Sequence, residues 1–422
     1  MNLPAFCTLL TPLGQAAIAR AAELDPSDET FLSALTQLQK HFDSDLAKAA
    51  LETTLLRRKA RAKFTRADSM YFTRDGLEMA SSEIVSRYRA ARFAPFARLA
   101  DLCCGLGGDT IGLASPPSPV GALPDGGGAG GGGLFALDID PLHLALAREN
   151  LSAYGLQAKL IEADLTKSKP PAVEAAFFDP GRRASGRRHF SVRGYHPPLS
   201  IIETWPPMPL GVKISPGVDL SEIEHYDCEI EFISLDRELK ECVLWFGELK
   251  TTARRATLLS PRHPPLSLTA QPPNHPATAP RSDSGVGTTQ PPNHPTTLPL
   301  AYLYEPDPSV LRAGLVTTLA AQLNAAQIDP DIAYLTADTL TPTPFARAFA
   351  IEAAMPFSQK RLREKLRAMN VGRVTVKKRG SPLDPAEFAR SLKLRGDEER
   401  IVFLTHVNGK AWVLIGLPAG GG

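Results

Sequence analysis

The sequence predicts a mostly parallel, doubly wound α/β sheet, preceded by a helical region and followed by a small α+β module. Three observations carry this. The stretch Asp101-Leu102-Cys103-Cys104-Gly105-Leu106-Gly107-Gly108-Asp109-Thr110 lies between apolar runs and reads as strand, glycine turn and helix start. Apolar strand candidates at 134–137, 159–162, 175–178, 211–214 and 229–234 alternate with helical stretches. Residues 355–422 then read helix, strand, helix and two strands.

The first element, 1–69, is rich in Ala and Leu and reads as helices, broken at Asp25-Pro26-Ser27-Asp28. Its end is basic: Arg57, Arg58, Lys59, Arg61, Lys63 and Arg66. The α/β core is expected over 70–260, entered through a helix containing Glu83, Val85, Tyr88 and Arg92. A Pro/Gly tract at 115–133 has no residues to pack a core and reads as a surface insertion. Residues 261–299 are dominated by Pro, Thr, His and Ser, and Gln271-Pro-Pro-Asn-His-Pro276 recurs at 290–295. They read as a disordered insertion carrying a short duplication, with His275 and His294 as weak metal candidates. A connecting α/β segment is expected over 300–354.

The last module predicts a helix at 358–369, a strand at 373–377, a helix at 385–392 and strands at 401–405 and 411–415. Asn408-Gly409 is the preferred pair for a two-residue hairpin turn. Lys360, Arg361, Arg363, Lys365, Arg367, Arg373, Lys377, Lys378, Arg379, Arg390, Lys393, Arg395 and Arg400 give the module a basic excess.

The chain has 422 residues, 43% hydrophobic and 22% charged, with a formal net charge of +2. That describes an ordinary soluble chain of two or three domains. No apolar run reaches the roughly 18–20 residues that span a bilayer, and Met-Asn-Leu-Pro does not begin a signal peptide. A cytoplasmic location without membrane attachment is the expectation. Cys7, Cys103, Cys104, Cys228 and Cys242 form no Cys-x-x-Cys pair, so no zinc site, other metal site or disulfide framework is expected.

The glycine loop narrows the ligand. Gly105 and Gly107 fit a Gly-x-Gly-x-x-Gly dinucleotide pattern, but the third position is Thr110. That pattern also leaves Asp101 without a role. S-adenosylmethionine sites give it one, because their first motif reads acid-x-Gly-x-Gly-x-Gly and aligns with Asp101, Cys103, Gly105 and Gly107. Cys103 stands in place of the first glycine. Asp138 ends the second strand, where an acid takes ribose hydroxyls. Asp164 follows the third strand, where a carboxylate commonly accepts from an adenine amino group. Asp179-Pro180 ends the fourth, where methyltransferases acting on nitrogen often carry Asp/Asn-Pro-Pro-aromatic. There the carboxylate and a backbone carbonyl accept from the target amine. Gly181-Arg182 replaces Pro-aromatic in this chain, so no obvious ring stacks on a base.

On these residues the chain resembles class I S-adenosylmethionine-dependent methyltransferases, with motifs similar to the trimethylguanosine synthase branch. The Thr73–Glu83 segment loosely matches the stretch that closes over the cofactor there. Phe178-Asp-Pro-Gly-Arg-Arg183, Leu244-Trp-Phe-Gly247, Tyr302-Leu-Tyr-Glu-Pro-Asp-Pro308 and Val371-Gly-Arg-Val-Thr-Val-Lys-Lys-Arg-Gly380 resemble bacterial methyltransferase-like proteins with a C-terminal THUMP-like domain. The resemblance implies a Rossmann-like fold over 70–260 and a THUMP-like domain over 355–422. It implies S-adenosyl-L-methionine bound by Asp101, Cys103, Gly105, Gly107, Asp138, Ile139 and Asp164, with Asp179 and Pro180 as catalytic residues.

The expected function is methylation of a nitrogen of an RNA base, with basic residues of 360–400 gripping phosphates. Two alternatives stay open: the same chemistry on a small molecule or protein, and an RNA-binding protein that keeps the fold without catalysis. Methylation of a pyrimidine carbon would need an activated cysteine, and Cys228 and Cys242 sit in no recognisable motif.

Overall fold

The computed structural model describes residues 1–115, 133–181, 183–184, 187–188, 191–270 and 298–420. Nearly all of the expected Pro/Gly insertion, the duplicated segments with His275 and His294, and the side chains of Arg182, Arg183, Arg187 and Arg188 lie outside the described residues. The chain forms two compact units. The first comprises Met1–Ile230, Lys240–Thr251 and Leu259–Pro265; the second comprises Glu231–Leu239, Thr252–Leu258 and Leu266–Gly422.

The first unit opens with α1 (Leu3–Leu9), α2 (Pro12–Glu23), α3 (Phe31–Leu38) and α4 (Ser44–Ala60). Asn2, Thr11 and Asp43 cap α1, α2 and α4 by accepting from first-turn N–H groups. Next come α5 (Arg74–Met79), α6 (Glu83–Ala90), β1 (Leu99–Leu102), α7 (Gly108–Ala114), β2 (Leu134–Asp138), α8 (Pro141–Ala153), β3 (Lys159–Glu162) and β4 (Ala175–Phe178). The short strands β5 (Arg183–Ala184) and β6 (Arg187–Arg188) pair with each other, and β7 (Leu210–Ile214) follows. The strands β8 (Glu229–Leu235), β9 (Glu238–Phe246), β10 (Arg254–Ser260) and β11 (His263–Thr269) are divided between the two units.

β1 pairs in parallel with β2 on one side and β4 on the other; β3 extends the sheet beyond β2, and β7 beyond β4. β9 then pairs antiparallel with β7. β1, β4 and β7 are buried along their whole length, which is why they read as apolar runs, broken only by Asp101 in β1 and Lys213 in β7. The reversal of strand order at β1 opens a crevice at the carboxyl ends of β1 and β4, the place where doubly wound sheets bind ligands.

The N-terminal helices are not a separate body. Phe6, Ala17, Leu38 and Leu51 share one hydrophobic cluster with Leu106, Ile111 of α7 and Leu142 and Leu146 of α8. They therefore support the glycine loop from outside the sheet.

The second unit contains β12 (Tyr302–Pro306), α9 (Pro308–Ala313), α10 (Val316–Leu323), β13 (Ala326–Asp329), β14 (Ile332–Ala337), β15 (Ala346–Pro356), α11 (Gln359–Ala368), β16 (Val371–Lys378), α12 (Pro385–Ser391), β17 (Glu398–Val407) and β18 (Lys410–Ala419). Its strands run β13-β14-β12-β15-β18-β17-β16, and β16 and β17 are parallel. Alternation along β17 sends Val402 and Leu404 to a cluster with Leu362, Leu366, Phe388 and Leu392 of the two module helices. Phe403 between them packs in a second cluster with Leu303, Tyr334 and Phe349. Asn408 and Gly409 link β17 to β18 with φ of 49° and 74°, the conformation of the expected tight hairpin turn.

Two expected boundaries are corrected. Residues 300–354 are not a connector, because β15 runs across position 354 and pairs with both β12 and β18. Strands from before and after that position therefore share one sheet. The insertion expected from residue 261 begins with a strand, β11, at the edge of its sheet. Pro264 and Pro265 suggested an insertion, but an edge strand tolerates proline, and Leu268 is buried.

Candidate methyltransferase active site

The carboxyl ends of β1, β2, β3 and β4 are stitched into one rim. Cys104 N–H donates to the Leu137 carbonyl at 2.8 Å, Asp179 N–H to the Leu102 carbonyl at 3.1 Å, and Ala163 N–H to the Asp138 carbonyl at 3.0 Å. This brings Asp101, Cys103, Gly105, Gly107, Asp138, Ile139, Asp164, Asp179 and Pro180 to the same edge of the sheet.

The loop after β1 turns sharply, with φ of 65° at Cys103, 53° at Gly105 and 86° at Gly107. Gly107 precedes α7, and a Cβ there would lie 3.2 Å from the Ala147 backbone of α8. A Cβ on Gly105 would meet nothing within 4 Å, so that face of the loop is open. Cys103 takes a left-handed conformation that a glycine adopts without penalty, which explains the motif's glycine at that position. Burial pushes the Cys103 and Cys104 thiols well above their usual values, so neither is a ready nucleophile. Cys228 and Cys242 are buried as well.

Asp101 lies fully buried on β1. One carboxyl oxygen accepts from the Thr110 hydroxyl, and Oδ1 has no hydrogen-bond partner. Thr110, which broke the dinucleotide pattern, thus holds the acid of this motif. Burial first, and then the charge of Asp109, push the Asp101 carboxyl well above the usual carboxylate range, against the Thr110 hydrogen bond.

Asp138 ends β2, and each of its carboxyl oxygens accepts a hydrogen bond. Its Oδ2 accepts from Gly105 N–H at 2.8 Å, and its Oδ1 accepts from Asp140 N–H at 2.9 Å. His143 Nδ1 lies 3.2 Å from the same Oδ1. Burial lowers the His143 pKa, but the hydrogen bond and charge of Asp138 outweigh it and raise the value. Ile139, the next residue in the chain, is 52% exposed, an unusual position for a large apolar side chain. Asp164 forms a local turn with the Thr166 N–H at 3.0 Å and an ion pair with Lys167 at 2.9 Å. The Thr166 and Lys167 hydrogen bonds pull its pKa down to about 2.

Sequence reasoning missed four residues that organise this rim. Asn150 of α8 is fully buried and donates to the Leu106 carbonyl at 2.9 Å and the Tyr71 carbonyl at 3.0 Å. It also accepts from Tyr71 N–H at 2.7 Å, tying the loop to the chain before α5. Arg89 of α6 is buried beside Asp109, with which it forms an ion pair, and lies 3.1 Å from Glu241. Lys63 donates to the carbonyls of Leu77, Glu78 and Ala80 at 2.8 to 3.1 Å, closing the end of α5. Lys213 Nζ donates to Asp179 Oδ2 at 2.7 Å. For Lys213 a signal existed: a charge inside the apolar strand Leu210-Gly-Val-Lys-Ile214 is rarely buried without a partner.

Comparison with known proteins decides the family. The chain is 32% identical over 378 residues to an uncharacterised S-adenosylmethionine-dependent methyltransferase of Mycobacterium tuberculosis, in strain CDC 1551 / Oshkosh and equally in strain H37Rv. The match covers 86% of this chain and 94% of the relative. The chain belongs to the S-adenosylmethionine-dependent methyltransferases. The crystal structure of a protein assigned as a methyltransferase from Porphyromonas gingivalis W83 shares the fold, with a TM-score of 0.66 at 19% identity. That match covers 94% of this methyltransferase and 100% of the other chain. Residues 346–418 match the THUMP domain-like family, from β15 to β18, and residues 2–60 match a domain of unknown function spanning α1 to α4.

The rim of this methyltransferase fits its cofactor chemically. The unpartnered Asp101 Oδ1 suits an ammonium group, the open face of Gly105 admits a close ligand, and the exposed Ile139 offers an apolar surface for a base. Among the described residues no His/Cys/Asp/Glu cluster suits a metal ion, and no helix is long and apolar enough to cross a membrane.

Proposed function

We propose that this methyltransferase modifies a nitrogen of an RNA base in the cytoplasm. One observation carries the choice of a nitrogen acceptor. Asp179 and Pro180 stand at the carboxyl end of β4, with the Asp179 backbone tied to the last residue of β1. Asp179 Oδ1 accepts no hydrogen bond from a described residue. That oxygen and the Pro180 carbonyl present acceptors to an N–H donor.

S-adenosyl-L-methionine, when bound, supplies an electrophilic methyl group on a sulfonium. Asp101 Oδ1 and the Cys103–Gly107 loop would hold its amino acid end, Asp138 its ribose, and Ile139 and Asp164 its base. Asp179 and the Pro180 carbonyl accept from the target amine and aim its lone pair, so that catalysis rests on orientation. Asp179 also receives the proton that the amine loses.

The RNA reading is supported by the THUMP domain-like residues and their charge. Lys360, Arg361 and Lys365 are exposed on α11, and Lys378, Lys393 and Arg395 are exposed nearby in sequence. None of these six forms an ion pair among the described residues. Arg373, Lys377 and Arg400, by contrast, are engaged by Glu399, Glu305 and Glu352. We assign methyl transfer to the first unit and phosphate contact to this surface of the second.

Nucleoside mass spectrometry of RNA from a deletion strain tests the reading. One methylated nucleoside should disappear and return with the wild-type gene but not with Asp179→Ala. An unchanged nucleoside profile counts against RNA as the substrate. Isotope from labelled cofactor appearing only in protein or small molecules would replace it with one of the alternatives.

A further inference from the structure

We propose that Lys213 is the positioning residue of the acceptor site: it holds Asp179 in a single orientation with Oδ1 turned to the substrate amine. This rests on the role given to Asp179 above and adds a residue to it.

Lys213 sits on β7, directly beside β4 in the sheet, and its side chain is 4% exposed. Its ammonium meets Asp179 Oδ2 at 2.7 Å and the Met79 carbonyl at 3.3 Å. A buried ammonium needs such partners, since an unpaired one costs several kcal/mol. The other buried acids nearby are already taken, because Asp109 and Glu241 both pair with Arg89. Asp179 is therefore the partner to which Lys213 is committed. The Met79 carbonyl at the end of α5 accepts a second bond from the lysine, and Lys63 closes the same turn.

The consequence for catalysis is directional. A free carboxylate rotates about χ2 and exchanges its oxygens; one oxygen clamped by an ammonium leaves the other at a defined position. The oxygen left free is the one that accepts a hydrogen bond from a donor N–H. Asp101 on β1, Arg89 on α6 and Glu241 on β9 also lie near enough to act on Asp179. Arg89 is shared between Asp109 and Glu241, so Lys213 is the cation in direct contact with Asp179.

A double-mutant cycle in the full-length enzyme tests this. Lys213→Met should lower kcat by about tenfold or more, as misplaced reacting groups do, while cofactor affinity by calorimetry stays within about twofold. In an Asp179→Asn background the same change should alter kcat by less than about twofold, because the lysine acts only through the carboxylate. The double variant removes both charges and guards against a folding failure of the single one. Wild-type turnover in Lys213→Met, or effects that multiply in the cycle, would each overturn the proposal.

The label is followed in RNA, protein and small-molecule fractions. Transfer outside RNA sinks the RNA reading and leaves the cycle to be run on the fraction that takes it. Should no fraction be labelled, the carbon-13 carboxyl resonance of Asp179 decides. A resonance that Lys213→Met leaves in place overturns the clamp.

Discussion

The Gly105 N–H donates to Asp138 Oδ2 at 2.8 Å, so the acid ending β2 is also a brace for the glycine loop on β1. Asp138→Ala removes the proposed ribose ligand and at the same time frees the loop. Asp138→Asn keeps an acceptor for one of these tasks only. The expected order of cofactor affinity is wild type, then Asn, then Ala, with the Ala variant at least about tenfold weaker, as for a lost charge-assisted bond. Titration calorimetry checks it. Equal affinity in all three removes Asp138 from the site.

Asn150 carries the loop's second brace. Its amide satisfies the Leu106 carbonyl and both backbone groups of Tyr71, in a fully buried place. Asn150→Leu matches it in size and leaves those groups unpaired, which costs about 3 kcal/mol in sum if their burial persists. Because Leu106 lies inside the loop, the loss should appear as a lower melting temperature and also as a smaller upward shift on adding cofactor. Normal stabilisation by cofactor in this variant would show that the loop does not depend on α8.

Asp101 makes stability and binding depend on pH. Burial and the Asp109 charge raise its folded pKa, so the folded chain keeps its proton where the unfolded chain has lost it. The stability from this group is complete below the unfolded value of about 3.9 and is lost as pH rises towards the folded value. Asp101→Asn should therefore melt close to wild type near the acid end and become relatively more stable towards neutral pH. A ligand ammonium at Oδ1 reverses the preference, so cofactor binding should release a proton wherever the free enzyme still holds it on Asp101. Calorimetry in buffers of different ionisation heats detects that release, and Asp101→Asn should abolish it. A pH-independent offset in melting temperature would contradict the assignment.

The parallel strands were legible because their burial is legible: Ala175-Ala-Phe-Phe178 has nothing to present to water. The candidate acids could be picked out because each lies at or near the carboxyl end of a strand. Lys213, Asn150 and Arg89 were not, because their partners lie far along the chain; Asn150 reaches Tyr71 across 79 positions and Lys213 reaches Asp179 across 34. A polar residue in an apolar run shows that some partner exists but not which one. The boundary at 354 failed for a related reason. β15 is assigned by the strands on either side of it, β12 and β18, and those pairings leave no local mark in Ala346–Pro356.

The basic surface of the second unit gives the last prediction. Lys360, Arg361, Lys365 and Lys393 are exposed and make no ion pair among the described residues, so each is available to a phosphate. Arg373 is equally exposed but already faces Glu399 at 2.7 Å. Neutralising each cation that contacts a phosphate should flatten the plot of log affinity against log salt by about 0.7 to 0.9. Lys360→Ala with Lys365→Ala should therefore cut the slope by roughly twice that, whatever the RNA sequence. Arg373→Ala should change it little, since loss of an exposed ion pair leaves no new phosphate contact and Glu399 remains. Filter binding to structured RNA at several salt concentrations measures both. A steeper loss from Arg373 than from the α11 lysines would move the phosphate path from the helix to the edge strand β16.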